Sequence, residues 1–474
     1  MMKSIVIKNA NIHNLKNVSV KIPLYKLIAV VGPSGSGKTS LIYDVLYKAS
    51  LGEKIHCQIS KTPKIHAIGQ KVILPKNIKL SLGEYNLNQL DEIIKKVKQD
   101  ELLIVDEPCA GLNTEENNLV LKKLKQLVTK KRSVIAIEHS REIIKGADYI
   151  VEFGPKSGKY GGEITFNGSL SKFKKSKSIT ADYIFSDKSS TIKYQRKPSD
   201  KAKSMQKKSI TLQGINKNNL KNFTLKFPLG SLVCISGRTG SGKTTLLNTV
   251  YSSLYKGRDA WKIRKNNGTA KKIIGKENIR RSYLVEQTPI ADHPTSRPVT
   301  YLNIWDNIRD IYANLPSARK LKLKKSDFIV TKQILDGSAD FPTKILSIKY
   351  RGKTINDILK STIDESIKAF SESVLIKRKL SFLQEVGLGY LTLGQKSDTL
   401  SGGEAQRIRL AKVLSKKLSD RCIYILDTPS KGLHPSDIPT LITVLQKIID
   451  KNNTVLVASN KTEIIKNSDF VINL

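Results

Sequence analysis

With 474 residues, 39% of them hydrophobic, the chain has room for two or three domains that each bury a core. A formal net charge of +41 is far more than solubility needs, so it implies an anionic partner, nucleic acid ahead of an acidic membrane surface, unless the lysines only form solvated faces. Cys57, Cys109, Cys234 and Cys422 lie far apart and form no CxxC pair, so neither a disulfide framework nor a zinc module is indicated, and without a signal peptide or an apolar run of spanning length the expected location is cytoplasmic, with no membrane contact.

In chain order, residues 5–47 (IVIKNANIHNLKNVSVKIPLYKLIAVVGPSGSGKTSLIYDVLY) give two strand patterns around Asn-Leu-Lys-Asn. An apolar strand, LIAVV, then runs into a glycine-rich loop and a helix. The loop from Gly32 to Thr39 fits G-x4-G-K-[ST] in the context that the motif requires. Gly32, Gly35 and Gly37 let backbone N–H groups wrap phosphate, with Ser34 and Ser40 in the same stretch. Lys38 neutralises the β and γ oxygens, and Thr39 can hold Mg²⁺. Next come a strand ending at Asp106 (LLIVD), a helix, the strand SVIAIEH and another helix, an alternation that predicts a parallel sheet.

Residues 170–209, rich in Lys and Ser and poor in apolar periodicity, read as a basic linker. Beyond it the whole of 5–47 recurs, without a gap and at an offset of 205, as ITLQGINKNNLKNFTLKFPLGSLVCISGRTGSGKTTLLNTVYS, so the chain is a duplication. The second loop supplies Gly237, Thr239, Gly240, Gly242, Lys243, Thr244 and Thr245 for the same tasks. The segment from Lys256 to Arg281 carries few acids and one tryptophan, Trp261, and suits either phosphate contact with stacking or a solvated loop. Further on, LSGGEAQRIRLAKVL places Ser401, Gly402, Gly403 and Glu404 at a helix start, where exposed N–H groups suit a γ-phosphate. The strand IYILD then ends at Asp427.

LSGGE together with both phosphate loops is the signature set of ABC ATPases. NIHNLKN, IEHSREIIKGADYIVEFGPKSGKYGGEI, VEQTPIADHPTSRPVTYLNIWDNIRDIYA and VGLGYLTLGQKSDTLSGGEAQRIRLA resemble the UvrA family, the damage-recognition ATPases of bacterial excision repair, and cover most of the chain. The resemblance implies an α/β fold of two tandem P-loop ABC-type ATPase cassettes with parallel-sheet cores, at 1–169 and 210–474, joined by the basic linker. The second cassette would carry a signature helical region at about 300–415. It further implies an ATPase that uses ATP and Mg²⁺ and has no intrinsic nuclease, and it leaves a homodimer open. Its function would be to bind duplex DNA in damage recognition and excision repair, or in protection from DNA-acting drugs. A second reading, an ABC-type ATPase acting on the ribosome and its rRNA as a resistance or translation factor, suits the charge equally. The short interval from Gly37 to Ser81 leaves no room for the family's inserted regions, which argues against UvrB docking, and no zinc is expected.

In ABC ATPases each nucleotide lies between the phosphate loop of one cassette and the signature of the other, so the resemblance is read crosswise. The first composite site takes the first loop, Gln70, Asp106 as Mg²⁺ partner with Thr39, Glu107 as the carboxylate that positions or deprotonates water, and His139 facing the γ-phosphate. It receives Ser401, Gly402, Gly403 and Glu404 from the other cassette. The second takes the second loop, Gln287, and Asp427 as Mg²⁺ partner with Thr244, opposite Ser81 and Gly83 of LSLGE. There Thr428 stands in place of the glutamate, Asn460 in place of the histidine and Leu82 in place of a signature glycine. Threonine cannot act as a base near neutral pH, so this site is expected to bind nucleotide without fast turnover.

Overall fold

The computed structural model describes residues 3–69, 82–185, 206, 208–285, 296–331, 334, 341–400, 402–415 and 420–474. The first cassette runs β1 (Ser4–Ala10), β2 (Val18–Pro23), β3 (Leu27–Val31), α1 (Ser40–Tyr47, wound as a π-helix), β4 (Gln58–Ile59), β5 (Ile65–Ile68) and α2 (Leu82–Lys96). It continues with β6 (Leu102–Asp106), α3 (Thr114–Thr129), β7 (Ser133–Ile137), β8 (Tyr149–Gly154) and β9 (Glu163–Ser169). Its main sheet has the order β5-β6-β7-β3-β8-β9, parallel except for the edge strand β9. The strands LIAVV, LLIVD and SVIAI are buried at every position, as a sheet covered on both faces demands. A small antiparallel sheet, β2-β1-β4, packs Ile5 and Ile7 with Leu41, Ile42 and Leu46 of α1, so the helix behind the phosphate loop is anchored on both sides.

The second cassette repeats this plan with β10 (Ser209–Lys217), β11 (Leu220–Pro228) and β12 (Leu232–Ser236). It then runs α6 (Lys243–Leu254), α7 (Ala260–Asn267), β13 (Lys272–Ile274) and β14 (Arg281–Val285). After short helices between Pro298 and Glu385 come α8 (Gly402–Ser415), β15 (Cys422–Asp427), α9 (Ile438–Asp450), β16 (Thr454–Ala458) and β17 (Phe470–Asn473). Its main sheet, β14-β15-β16-β12-β17, is wholly parallel. One face of that sheet, through Leu232 and Tyr424, shares a core with Trp305, Phe328, Phe341 and Phe370 of the helical region, so signature and sheet form one packed body.

The duplication is also legible in the backbone. Asn9, His13, Asn17 and Tyr25 hold left-handed φ of 57°, 54°, 50° and 59°, and their counterparts Gly214, Asn218, Asn222 and Gly230 hold 69°, 49°, 49° and 65°. A left-handed non-glycine residue is uncommon, so this coincidence reflects turns required by the fold.

The stretch 170–209 differs from expectation. It opens with two helices, α4 (Leu170–Lys174) and α5 (Ile179–Phe185), whose Phe173, Ala181 and Ile184 are buried with Leu27 and Ala29 of the first sheet. The apolar positions are few and set among lysines, which conceals them from a periodicity test. Residues 186–205 and 207 of that stretch lie outside the described set.

Candidate functional site

Each phosphate loop is a turn between a buried strand and a helix. At Gly32, φ is +131° and an added Cβ would sit 2.2 Å from the Phe153 carbonyl oxygen, so no other residue fits. Lys38 Nζ donates to the carbonyls of Gly32 and Pro33, each at 2.8 Å. Lys243 Nζ donates to those of Gly237 and Arg238 at 2.6 and 2.7 Å. Burial pulls Lys38 down to about 8, opposed by the negative charges of Glu107, Asp106, Asp437 and Glu404. Two of those charges, Asp437 and Glu404, come from the other cassette.

The head-to-tail arrangement is fixed by a matched pair of hydrogen bonds. Ser34 Oγ donates to the Gly432 carbonyl at 2.9 Å, and Thr239 Oγ1 lies 3.2 Å from the Gly111 carbonyl, its single proton shared between that oxygen and the nearer Glu116 carboxylate. Ser34 and Thr239 are the third residues of their loops, and Gly111 and Gly432 follow Asp106 and Asp427 by the same five positions. Each loop therefore touches the turn beyond the aspartate of the opposite cassette.

At the first site Asp106 ends β6 and Glu107 follows it, 9% and 8% exposed. Burial, then the charge of Glu107, raises the Asp106 carboxyl well above its ordinary value. Glu107 holds φ of 49°, with its N–H on the Ile137 carbonyl at 2.9 Å. From the second cassette, Gly432 packs so close that an added Cβ would lie 3.0 Å from Glu107 Oε1. Lys431 lines the same cavity as Ile68, Asn86, Asp106 and Glu107. Burial lowers the Lys431 ammonium, and Glu107 and Asp427 oppose that shift. His139 is buried, lies edge-on to His434 with ring centroids 5.5 Å apart, and its Nδ1 has no hydrogen-bond partner among the described residues. Glu404 accepts a bond from Tyr390, whose ring lies against Gly35.

The second site keeps the frame and changes the groups. Thr428 holds the same φ of 49°, with its N–H on the Ala458 carbonyl at 3.1 Å, and its hydroxyl donates to Asp427 Oδ1 at 3.0 Å. Asn460 Oδ1 accepts the Gly237 N–H at 3.2 Å. Cassette-one carboxylates close on the loop: Glu116 accepts from the Thr239 N–H at 3.2 Å and from its hydroxyl at 2.6 Å, Glu115 pairs with Arg238 at 2.9 Å, and Glu84 lies against Gly240. Glu116 is also the capping-box residue of α3, accepting the Asn113 N–H at 2.8 Å.

Thr244 Oγ1 donates to Asp427 Oδ2 at 2.9 Å, a hard-oxygen pair of the kind that suits Mg²⁺. Among the described residues no group of three or more His, Cys, Asp or Glu side chains could hold a metal ion, so an ion here would take its other ligands from phosphate and water. Thr39 and Ser40 open α1, and Thr245 Oγ1 accepts Asn218 Nδ2 at 3.1 Å. Gln70, Ser81, Gln287 and Ser401 lie outside the described residues, and Leu82, Gly83 and Gly402 are placed only as backbone of α2 and α8. The sequence reading missed Tyr390, Lys431, Gly432, His434, Asp437 and Glu116. The one available signal was the shared Gly-Leu at 111–112 and 432–433, which marks equivalent turns.

Residues 220–431 match a family model described as ABC transporter. The UvrABC system protein A of Clostridium acetobutylicum is 37% identical over 425 residues, 83% of this chain and 44% of that protein. The protein of the same name from Aquifex aeolicus is 37% identical over 427 residues, 83% of this chain and 45% of that protein. The chain is UvrA-like. The crystal structure of UvrA2 from Deinococcus radiodurans matches 99% of this chain and 95% of that one with a TM-score of 0.83 and 20% identity, a likeness of fold. The UvrA-like chain spans less than half the length of these curated relatives. None of its helices among the described residues is long and apolar enough to cross a membrane.

Proposed function

We propose that the chain binds ATP at both composite sites, hydrolyses it at the first, and uses closure of the cassettes to regulate its grip on duplex DNA. The roles fit damage recognition in excision repair or protection from DNA-acting drugs. One observation carries the asymmetry: Lys38, Asp106, Glu107 and His139 converge at the first site with Glu404, Lys431 and Gly432 from the other cassette, whereas the second offers Thr428 and Asn460.

The chemistry is the attack of water on the γ-phosphorus, with ADP as leaving group. The loop N–H groups and Lys38 stabilise charge on the phosphate oxygens. Glu107 orients the water and accepts its proton. Mg²⁺, when bound, neutralises phosphate charge, and Thr39 and Asp106 would hold it. Held neutral by burial and by the neighbouring Lys38 charge, His139 is suited to contact the γ-phosphate without adding a charge.

DNA as partner rests on the net charge of +41 and on the likeness to UvrABC system protein A of bacteria. The test compares damaged duplex, intact duplex and ribosomes at matched salt, because a basic protein binds every polyanion in dilute buffer. A duplex preference that survives salt is the expected result. A ribosome preference would replace this reading with a clamp on rRNA.

A further inference from the structure

The two cassettes share strand register around one difference. In the first, β4 pairs with β1 through Ile7 and Ile59, and in the second β13 pairs with β10 through the equivalent Leu212 and Ile273. Behind the first phosphate loop helical backbone runs on past Tyr47 to Ser50, and behind the second it ends at Leu254, next to Tyr255, the equivalent of Ser50. From Ser50 to Ile59 is nine residues and from Tyr255 to Ile273 eighteen, and the added length holds α7, Ala260–Asn267.

No residue of α7 is buried. Ile263 and Arg264 are half-buried, and Arg264 donates to the Ser252 and Tyr255 carbonyls at 3.4 and 3.3 Å, so this side of α7 is held on α6 while Trp261, Lys262 and Lys265 stay exposed. Its Trp261 is 69% exposed, whereas the chain's other tryptophan, Trp305, is 7% exposed in the core. From Lys256 to Arg281 the only acids are Asp259 and Glu277, which accept hydrogen bonds from Tyr255 and Asn278. Lys256, Arg258, Lys262, Lys265, Lys271 and Lys272 are exposed and make no ion pair among the described residues. Lys276 behind them is lowered by burial and then by the like charges of Arg264 and Lys256, so the cluster is uncompensated.

We infer that α7 is a nucleic-acid contact in which Trp261 stacks on an unpaired base of distorted DNA while Arg258, Lys262 and Lys265 hold the flanking phosphates. This rests on the DNA reading above and adds what is recognised. Positions 261 and 265 share one helix face, so indole and ammonium meet the same stretch of strand. A helix lying on intact duplex meets phosphates, because the base faces are covered by their neighbours. Only a displaced base offers a face to an indole.

The test uses the full chain at about 0.15 M salt, with a duplex carrying one unpaired thymine and the same duplex fully paired, read by tryptophan fluorescence and by titration. The unpaired site is expected to quench the exposed indole and to bind about tenfold more tightly than paired duplex. Trp261→Ala is expected to abolish both the quenching and the preference while leaving paired-duplex binding and ATP turnover unchanged. Lys262→Ala with Lys265→Ala should weaken both duplexes and flatten the salt dependence. Since Trp261, Lys262 and Lys265 are all exposed, these variants keep the fold, which circular dichroism checks. A wild-type protein that binds DNA without quenching, or a Trp261→Ala protein that keeps the preference, overturns the inference and leaves the DNA reading standing. Binding to neither duplex overturns the DNA reading itself. Equal quenching by an unpaired base in RNA overturns the choice of DNA.

Discussion

The two composite sites share one backbone and differ in what they place on it. Glu107 and Thr428 hold the same left-handed φ of 49°, and each N–H bonds the end of the neighbouring strand. For a β-branched residue that conformation is an outlier, costing on the order of 1 kcal/mol or more. Thr428 cannot repay this through chemistry. What the kinked turn does is carry Lys431, Gly432 and His434 across to Glu107 and His139 of the opposite cassette. On the proposed asymmetry, the second cassette keeps a strained turn that serves the first site.

The sharpest way to break this comparison is at the paired positions themselves. Glu107→Gln should leave ATP bound and reduce steady-state turnover by about 10²- to 10⁴-fold, the usual loss for a positioned general base. Thr428→Ala should change turnover little. Comparable losses in the two proteins would mean that the second site hydrolyses ATP and that the sites are equivalent.

His434 gives the comparison a pH dependence, since its equivalent at the other site is Asn113, which cannot titrate. Burial, then Lys38, lowers His434 from its ordinary 6.5 to about 3. The unfolded chain therefore binds a proton through the window from about 6.5 to about 3 that the folded chain does not. Stability is fully present above pH 6.5 and falls with acid at up to about 1.4 kcal/mol per pH unit. His139, held neutral in the same pocket, adds in the same direction. Denaturation midpoints measured from pH 7 to pH 4 should decline less steeply in His434→Asn than in wild type.

A smaller effect separates position from charge at the first site. Lys431 lies on the cavity wall with Glu107 and in neither phosphate loop. Lys431→Met is expected to lower kcat about tenfold with KM for ATP nearly unchanged, the pattern of a lost transition-state interaction, and Lys431→Arg should recover part of the loss. A rise in KM alone would place Lys431 in nucleotide binding instead.

The duplication, both phosphate loops and the aspartates Asp106 and Asp427 were legible because each is a local pattern with a fixed spacing. The helices α4 and α5 were not, since Phe173, Ala181 and Ile184 are isolated among lysines and find their core only in three dimensions. Nor were Lys431, Gly432 and Tyr390, whose importance arises from a contact between cassettes. Nothing near Gly432 in the sequence says that Glu107 will lie against it. The segment around Trp261 showed its charge but not its status as an added helix, which required strand register in both copies.

The last comparison, which ends on the smallest expected effect, that of Arg238→Ala, tests what holds the second loop. Glu116 meets Thr239 through two hydrogen bonds in a partly buried setting and also caps α3, so Glu116→Ala removes a charged acceptor from three donors at once. Hydrogen bonds to charged groups contribute about 1.5–3 kcal/mol, which here should appear as a lower thermal midpoint. The neighbouring Arg238–Glu115 pair looks as good on distance, at 2.9 Å, but its side chains are 77% and 74% exposed. Water and salt screen such a pair to about 0–1 kcal/mol, so Arg238→Ala should leave the midpoint within a degree or so of wild type. Both variants melted side by side, at low and at high salt, decide the matter. Equal losses that vanish with salt would mean that the second interface is held by surface charge, whereas a loss confined to Glu116→Ala and insensitive to salt means that a cassette-one carboxylate is built into the second phosphate loop.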